Sequence, residues 1–325
     1  MMCRKFLYLA SVLSIVLFIS CEDSLEPNGE YSEGYSLNCI LRCDSNAQYV
    51  VLSKSYLPDN SDPYSYNTDP IIYGADVRIY YDDEAVIFKD SSVARSDTSR
   101  YKTPYGFYFS NQFKPAVNKE FEIDVLLPNG RRLKATTITP NTVEFQKTSC
   151  DLIITKITKE KGSLNYYWRT LARDIFYVPR LTFTYYKNLN GVPTKYSKSI
   201  PIKYRSNDGI YVPLYPQPDK NPYVFYNMDA VIKAFEDISE GDAFKGNYSV
   251  VASTTLELII LDKNLSGYYS SSTSAYGEFS VKIDESDYTN ITNGYGIFGS
   301  YLKQEIRVSF TEDFINSFGY SMVYN

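Results

Sequence analysis

The sequence predicts a mostly β protein: an N-terminal immunoglobulin-like or transthyretin-like β-sandwich, followed by a β-rich C-terminal domain with one or two short helices. Aromatic residues make up 16% of the chain, with 33 Tyr, and aromatic and β-branched residues favour strands. Short runs that alternate between apolar and polar residues recur along the chain, and turn-forming clusters separate them. Runs at this regular spacing are typical of a β-sandwich.

The first predicted domain spans residues 35–140. Its clearest strand alternates Phe121, Ile123 and Val125 with acidic residues, so one face is apolar and the other is polar. Asn129-Gly130 follows this strand, and this dipeptide accepts the positive φ of a tight hairpin turn. The predicted strands are 35–43, 48–55, 74–81, 85–88, 106–110, 120–127 and 131–138.

The second predicted domain spans residues 141–325. Two runs, 151–158 and 163–171, are expected to form a hairpin, and the small residues 270–274 are expected to form a loop. Other strands are predicted at 181–185, 249–261, 279–283 and 305–310.

One amphipathic helix is predicted over Met228–Ile238, because apolar residues recur there at i, i+3, i+4 and i+7. Asn227 precedes it as a candidate N-cap, and Gly241 lies just past its end. A last helical turn is predicted over residues 312–318, where Gly319 stops it.

Residues 204–224 combine several prolines with tyrosines. So many prolines are incompatible with a central strand, because proline has no N–H to donate to a neighbouring strand. We therefore predict a long loop that packs on its own domain or contacts a sugar or a peptide through aromatic faces. The candidate ligand-binding residues are Tyr211, Tyr215, Tyr223 and Tyr226.

The N-terminus has the pattern of a lipoprotein signal peptide. Arg4 and Lys5 precede a charge-free apolar run that is shorter than the ~20 residues of a membrane-spanning helix. Residues 1–20 are the predicted signal peptide, Cys21 is the predicted lipidation site, and residues 21–34 are a predicted acidic tether. The alternative is ordinary secretion.

Acidic residues follow Cys21 directly and resemble the surface-export signal of Bacteroidota lipoproteins; they are Glu22, Asp23 and Glu26. Together with the lipid, this signal predicts a protein that is anchored in the outer membrane and exposed on the cell surface.

Charge and composition exclude several kinds of function. Without the predicted signal peptide, 31 basic and 38 acidic residues remain, and this balance argues against a nucleic-acid partner. The chain has no His, which excludes Ser-His-Asp catalysis and His-ligated metals. We expect no enzymatic activity, no cofactor and no metal site. A hydrolase that uses a carboxylate pair stays open, because it needs only Asp or Glu.

Three cysteines follow Cys21. Cys39 and Cys43 are too far apart to form a disulfide if they share a strand. Either could pair with Cys150, or all three are buried free thiols.

A stretch near the end of the chain, Gly294 to Gly299, matches G-x-G-x-x-G. A dinucleotide site requires this motif to follow a strand and open a helix. Because a β-type segment follows it here, we reject nucleotide binding and expect the glycines to form a tight loop before the last strand.

Several stretches resemble a family of Bacteroidota lipoproteins catalogued as domain of unknown function 4249. They are the predicted acylated N-terminus, residues 74–79, Thr139-Pro140 and residues 290–299, and the resemblance covers about residues 35–310. Members are commonly encoded beside TonB-dependent outer-membrane receptors, which implies an accessory lipoprotein of a nutrient-import system. The family has no established catalytic residues to carry over, and the cysteines and the high Tyr content depart from its pattern.

These observations predict a non-enzymatic accessory or ligand-capture lipoprotein that acts with a TonB-dependent receptor and takes a glycan or peptide ligand. The alternatives are a fimbrial or adhesin subunit and a histidine-free carboxylate hydrolase.

Overall fold

The computed structural model describes residues 31–57, 62, 66–172, 174–207, 210–273 and 288–324. Strands make up 49% of the residues that the structure describes and helices 12%, which confirms the mostly β prediction. The strands are β1 (Tyr35–Arg42), β2 (Gln48–Lys54), β3 (Asp76–Tyr81), β4 (Glu84–Val93), β5 (Tyr105–Ser110), β6 (Glu120–Leu126), β7 (Arg132–Ile138), β8 (Glu144–Phe145), β9 (Ile153–Ile154), β10 (Ser163–Arg169), β11 (Tyr177–Leu189), β12 (Val192–Ser199), β13 (Lys203–Asn207), β14 (Ile210–Leu214), β15 (Tyr223–Asn227), β16 (Tyr248–Val251), β17 (Ser253–Leu261), β18 (Tyr295–Phe310) and β19 (Ser321–Val323). The helices are α1 (Met228–Glu236), α2 (Lys263–Thr273) and α3 (Glu312–Asn316).

The N-terminal half is the predicted β-sandwich. Its strands follow the order β18-β1-β2-β5-β4-β3-β6-β7. The first part of β4 pairs with β3 and its second part pairs with β5, so β4 belongs to both layers. Apolar side chains of both layers meet between them and are almost fully buried, among them Leu37, Val50, Val77, Ile123 and Leu133.

The C-terminal half has a separate core. One layer is the sheet β19-β16-β11-β17-β18, with β12 paired to β11 and β9 paired to β18. The small sheet β15-β10-β8 and the helices α1 and α3 pack against it. Aromatic rings dominate this core: Phe183 stacks on Phe235 at 4.1 Å between ring centroids, and Phe310 and Phe314 stack at 5.6 Å.

Strand β18 belongs to both halves. Its first part pairs in parallel with β1, from Ser36–Tyr295 to Arg42–Tyr301. The rest pairs antiparallel with β17, ending at Ser309. Phe298 of this strand is fully buried in the sandwich core. Residues 295–301 therefore lie in the sandwich, although they fall within the predicted C-terminal domain.

The glycine motif serves this strand pairing. Gly296 and Gly299 lie inside β18, so the predicted loop before the last strand is wrong for these two glycines. Gly296 has a φ of +104°, and a Cβ there would lie 2.2 Å from the carbonyl oxygen of Leu37. At Gly299 a Cβ would lie 2.7 Å from Leu265 of α2. Glycine is therefore required for the close approach of β1 and α2 to this strand.

Both helix predictions are confirmed. Helix α1 begins after Asn227, whose side-chain oxygen accepts a hydrogen bond from the N–H of Asp229 at 2.9 Å. Gly241 has a φ of +76° just past the helical segment. Helix α3 occupies the predicted last turn, and Gly319 follows it with a φ of +84°.

Three other predictions in this half are wrong. The expected 151–171 hairpin does not form, because β10 pairs with the distant β15 and with β8, while β9 pairs with β18. Ser270–Thr273 lie in α2 rather than in a loop. Residues 203–214 form the hairpin β13-β14, a separate two-stranded sheet whose edges tolerate proline. The predicted strand 279–283 lies outside the described residues.

Asp262 joins the two halves. It follows β17 directly and caps α2, since its carboxylate accepts a hydrogen bond from the N–H of Leu265 at 2.7 Å. It also accepts hydrogen bonds from Thr137 of β7 and, at 2.8 Å, from Ser300 of β18. Its side chain is buried, and this burial raises the pKa of its carboxyl group.

We predict that Gly296→Ala lowers the free energy of unfolding by at least about 2 kcal/mol, because the new methyl group meets backbone at a φ that alanine disfavours. Urea unfolding measures the change. Gly162→Ala is the control, since a Cβ at Gly162 meets no heavy atom within 4 Å. Equal stability of the two variants would contradict the close approach of β1 and β18.

A second prediction concerns pH. Because the folded pKa of Asp262 is raised, the folded protein keeps this proton to a higher pH than the unfolded chain. The contribution of Asp262 to the free energy of unfolding is therefore complete below the ordinary pKa of ~3.9. It decreases as the pH rises through the pKa of Asp262 in the folded protein. We expect Asp262→Asn to remove this decrease in urea unfolding across that pH range. If the difference in the free energy of unfolding between Asp262→Asn and the wild type does not change with pH, the prediction is contradicted.

Candidate functional site

The prolines and tyrosines of the predicted binding loop line an open groove of about 600 Å³. The loop after β14 forms one wall and β15 forms the other. Tyr215 and Tyr223 both line it, and each is about two-fifths exposed. Apolar lining also comes from Ile202, Pro213, Leu214, Pro216 and Pro218. Two of the four candidate tyrosines are thus brought together.

The other two candidates lie elsewhere. Tyr211 is exposed on β14 but is not among the lining residues. Tyr226 is fully buried, because alternate residues of β15 point to opposite faces and Tyr226 points to the core. Its ring meets Tyr166 edge-on at 6.1 Å. The prediction that Tyr226 contacts a ligand is therefore wrong for this structure.

A cluster of three rings lies at the groove, and we call it the aromatic platform: the exposed Tyr223 and Phe225, which line the groove, and the half-buried Tyr167. Tyr223 and Phe225 stack with centroids 4.9 Å apart and planes 18° apart. Tyr167 of β10 lies 6.3 Å from Tyr223 and 5.7 Å from Phe225. Phe225 is 44% exposed. The platform is the solvent-facing side of the small sheet.

Tyr167 and Phe225 were missed by the sequence analysis. The alternation of β10 places Tyr167 on its polar face, and this pattern could have identified Tyr167 as a residue that faces away from the core. Its pairing with Tyr223 follows from the β10–β15 register, and that register joins residues far apart in the chain.

Polar groups flank the platform. Asp219, Asn221 and Gln217 line the groove on the loop side. Asn221 Nδ2 donates a hydrogen bond to Asp219 Oδ2 at 2.6 Å. On the sheet side, Asn165 of β10 lies directly opposite Phe225. An apolar surface with amide and carboxylate groups at its margins therefore faces solvent.

The loop is held in place by backbone hydrogen bonds. The N–H of Tyr177 donates to the carbonyl of Asp219 at 2.7 Å, and the N–H of Asp219 donates back at 3.1 Å. The N–H of Trp168 donates to the carbonyl of Pro222 at 3.0 Å. These bonds connect the wall of the groove to β10 and β11.

The described lining residues carry a single charge, on Asp219. Lys220, which follows Asp219 in the loop, pairs with Asp174 at 2.9 Å. The groove therefore has an acidic or neutral character.

Under the platform, buried polar atoms have no hydrogen-bond partner within the described part of the chain. They are Tyr166 Oη and Trp168 Nε1. Burial raises the pKa of Tyr166 well above its ordinary value, so its hydroxyl stays protonated. An unpaired buried hydroxyl costs about 1–3 kcal/mol.

The remaining predicted sites are distributed as follows. Cys21, Glu22, Asp23 and Glu26 lie outside the described residues. Cys39, Cys43 and Cys150 are free thiols. Burial raises the pKa of Cys43 to about 12, so this thiol is unreactive at neutral pH.

No helix in the described ranges has the length and apolar character needed to cross a membrane. Across those same residues, no cluster of three or more Cys, Asp or Glu is arranged to hold a metal ion.

Comparison with known proteins found no matching family model and no matching curated protein.

We predict that Tyr166→Phe leaves the protein as stable as the wild type or more stable by about 1 kcal/mol, because it removes a buried hydroxyl that has no described partner. Thermal and urea unfolding measure this. The matched control is Tyr108→Phe. The buried Tyr108 hydroxyl donates to Ile72 and accepts from the N–H of Ala75, so its loss should cost about 1–2 kcal/mol. Destabilisation by Tyr166→Phe would mean that its hydroxyl is paired.

Proposed function

We propose that this protein is a lipid-anchored, surface-exposed outer-membrane lipoprotein that captures a ligand for a TonB-dependent nutrient-uptake system. The aromatic platform beside the groove is the observation that carries the proposal. Large exposed aromatic clusters are uncommon on soluble proteins unless they bind something. The resemblance to accessory lipoproteins encoded beside such receptors supports the same role.

The predicted anchor supports a position close to the membrane. Acyl chains on Cys21 would contribute ~0.8 kcal/mol for each buried CH₂ group. The first described residue, Tyr31, donates a hydrogen bond from its hydroxyl to the carbonyl of Ser55 at 2.6 Å. A short segment would therefore separate the lipid from the sandwich.

The groove favours binding over hydrolysis. Carboxylate-pair hydrolases place two Asp or Glu side chains on either side of the bond that they cleave. The described lining of this groove has one carboxylate, on Asp219. We therefore assign it capture without chemistry.

The fimbrial alternative is less well supported. Pilus subunits complete their sandwich with a strand donated by a neighbouring subunit. In this chain, β18 already occupies the position beside β1.

We predict that Cys21→Ala abolishes incorporation of labelled fatty acid and releases the protein from the outer membrane. Cys3→Ala is the matched control, because Cys3 lies inside the predicted signal peptide and should not matter. Replacing Glu22, Asp23 and Glu26 by Ala should keep the lipid label but remove accessibility to protease added to whole cells. Labelling of the Cys21→Ala protein would contradict the anchor.

Uptake tests the role itself. Cells with the Cys21→Ala protein should grow more slowly than wild type on limiting polysaccharide or peptide media. Equal growth on every medium would contradict capture for uptake.

A further inference from the structure

We propose that the aromatic platform and its groove bind a neutral oligosaccharide. This inference rests on the proposed capture function and names the ligand class of the same site. The rings of the platform, the polar groups at its margins and the charge of the groove favour this ligand class.

The platform offers aromatic ring faces to a ligand. Tyr223 and Phe225 stack on each other, with planes 18° apart and centroids 4.9 Å apart, so each ring covers one face of the other and leaves its outer face open; both side chains are about two-fifths exposed. Tyr167 adds a third ring, inclined by 68° to Phe225. A pyranose ring has an apolar face of C–H groups, and such a face packs well on the electron-rich face of an aromatic ring.

The margins supply hydrogen-bonding groups for the edges of such a ligand. Asp219, Asn221 and Gln217 stand on the loop side, and Asn165 stands on the sheet side. Amide and carboxylate groups can each accept hydrogen bonds from hydroxyl groups, and amides also donate. A ligand with an apolar face and hydroxylated edges satisfies both parts of the site, as in other small-ligand sites.

The charge of the groove lining restricts the class of sugar that can bind. Asp219 is the single charged side chain among the described lining residues. Lys220 is directed to Asp174, with 2.9 Å between Nζ and the carboxylate. Without a cation in the lining, sulfated or uronic sugars would be repelled by Asp219. The groove thus favours neutral sugars.

The site is held in its shape before a ligand arrives. The loop is connected to β11 through the paired backbone bonds of Tyr177 and Asp219. The platform residues stand on paired strands, β10 and β15. A preformed surface lowers the entropy cost of binding.

The test uses the full-length lipoprotein in detergent micelles. It is applied to an array of neutral, uronic and sulfated oligosaccharides and to a peptide library, and hits are measured by calorimetry. We expect binding to neutral oligosaccharides. Tyr223→Ala and Phe225→Ala should each weaken it about tenfold or more through loss of stacking area. Tyr223→Phe should retain binding, because the ring remains.

Tyr80→Ala is the matched control, since Tyr80 is also a strand tyrosine and is 37% exposed, but on β3 of the sandwich. It should bind as the wild type does. Circular dichroism confirms that each variant is folded, and Tyr223→Phe remains informative if an alanine variant is not.

Each of the other outcomes would contradict one specific step of the proposal. Peptide binding that is lost in Tyr223→Ala would overturn the sugar class and leave capture intact. Sugar binding that is unchanged in both alanine variants would overturn the site. A preference for sulfated or uronic sugars would overturn the charge argument. Binding of neither class, with normal growth of Cys21→Ala cells on all media, would overturn the proposed function itself.

Discussion

The two-sided pairing of β18 is the constraint on which the rest of the structure depends. This strand completes the sandwich beside β1 and then continues into the C-terminal sheet beside β17. The pairing of β18 with β1 requires glycine at position 296, because the backbone of β1 leaves no space there for a side chain. Asp262 strengthens the same region, because one buried carboxylate bonds to β7, to β18 and to the first turn of α2. The two cores are thus connected by paired backbone rather than by a linker alone.

The high tyrosine content has three physical roles in this architecture. Some tyrosines fill cores, as Tyr226 and Tyr166 do, at the cost of burying hydroxyl groups. Others pack against a guanidinium group in the segment between β4 and β5: Arg95 lies over Tyr105, at 5.0 Å from the ring centroid, and also over Tyr101. A third group stands exposed on the small sheet. The composition therefore does not mark a binding surface by itself, because packing uses the same residue for its flat, amphipathic ring.

How much could be predicted from the sequence depended on whether the information was local. The sandwich strands and both confirmed helices follow from alternation, turn residues and caps within a few residues of each element. The 151–171 hairpin failed because β10 pairs with β15, and sequence pattern does not specify partners so far apart. The serines of α2 were misread because an Asp262 cap and the packing of Leu265 outweigh weak helix propensity. Tyr215 and Tyr223 were found through the Pro- and Tyr-rich composition, whereas Tyr167 joined the site only through strand register.

The shared strand also constrains how the groove and the sandwich can move relative to each other. A hinge between the halves would have to break the pairing of β18 with β1 or with β17, and both are continuous ladders. Residues that line a core on each side of Tyr301, such as Phe298 and Ile306, would lose their burial in the same motion. The groove and the sandwich therefore keep one relative orientation. A binding partner would therefore meet the two halves as one body.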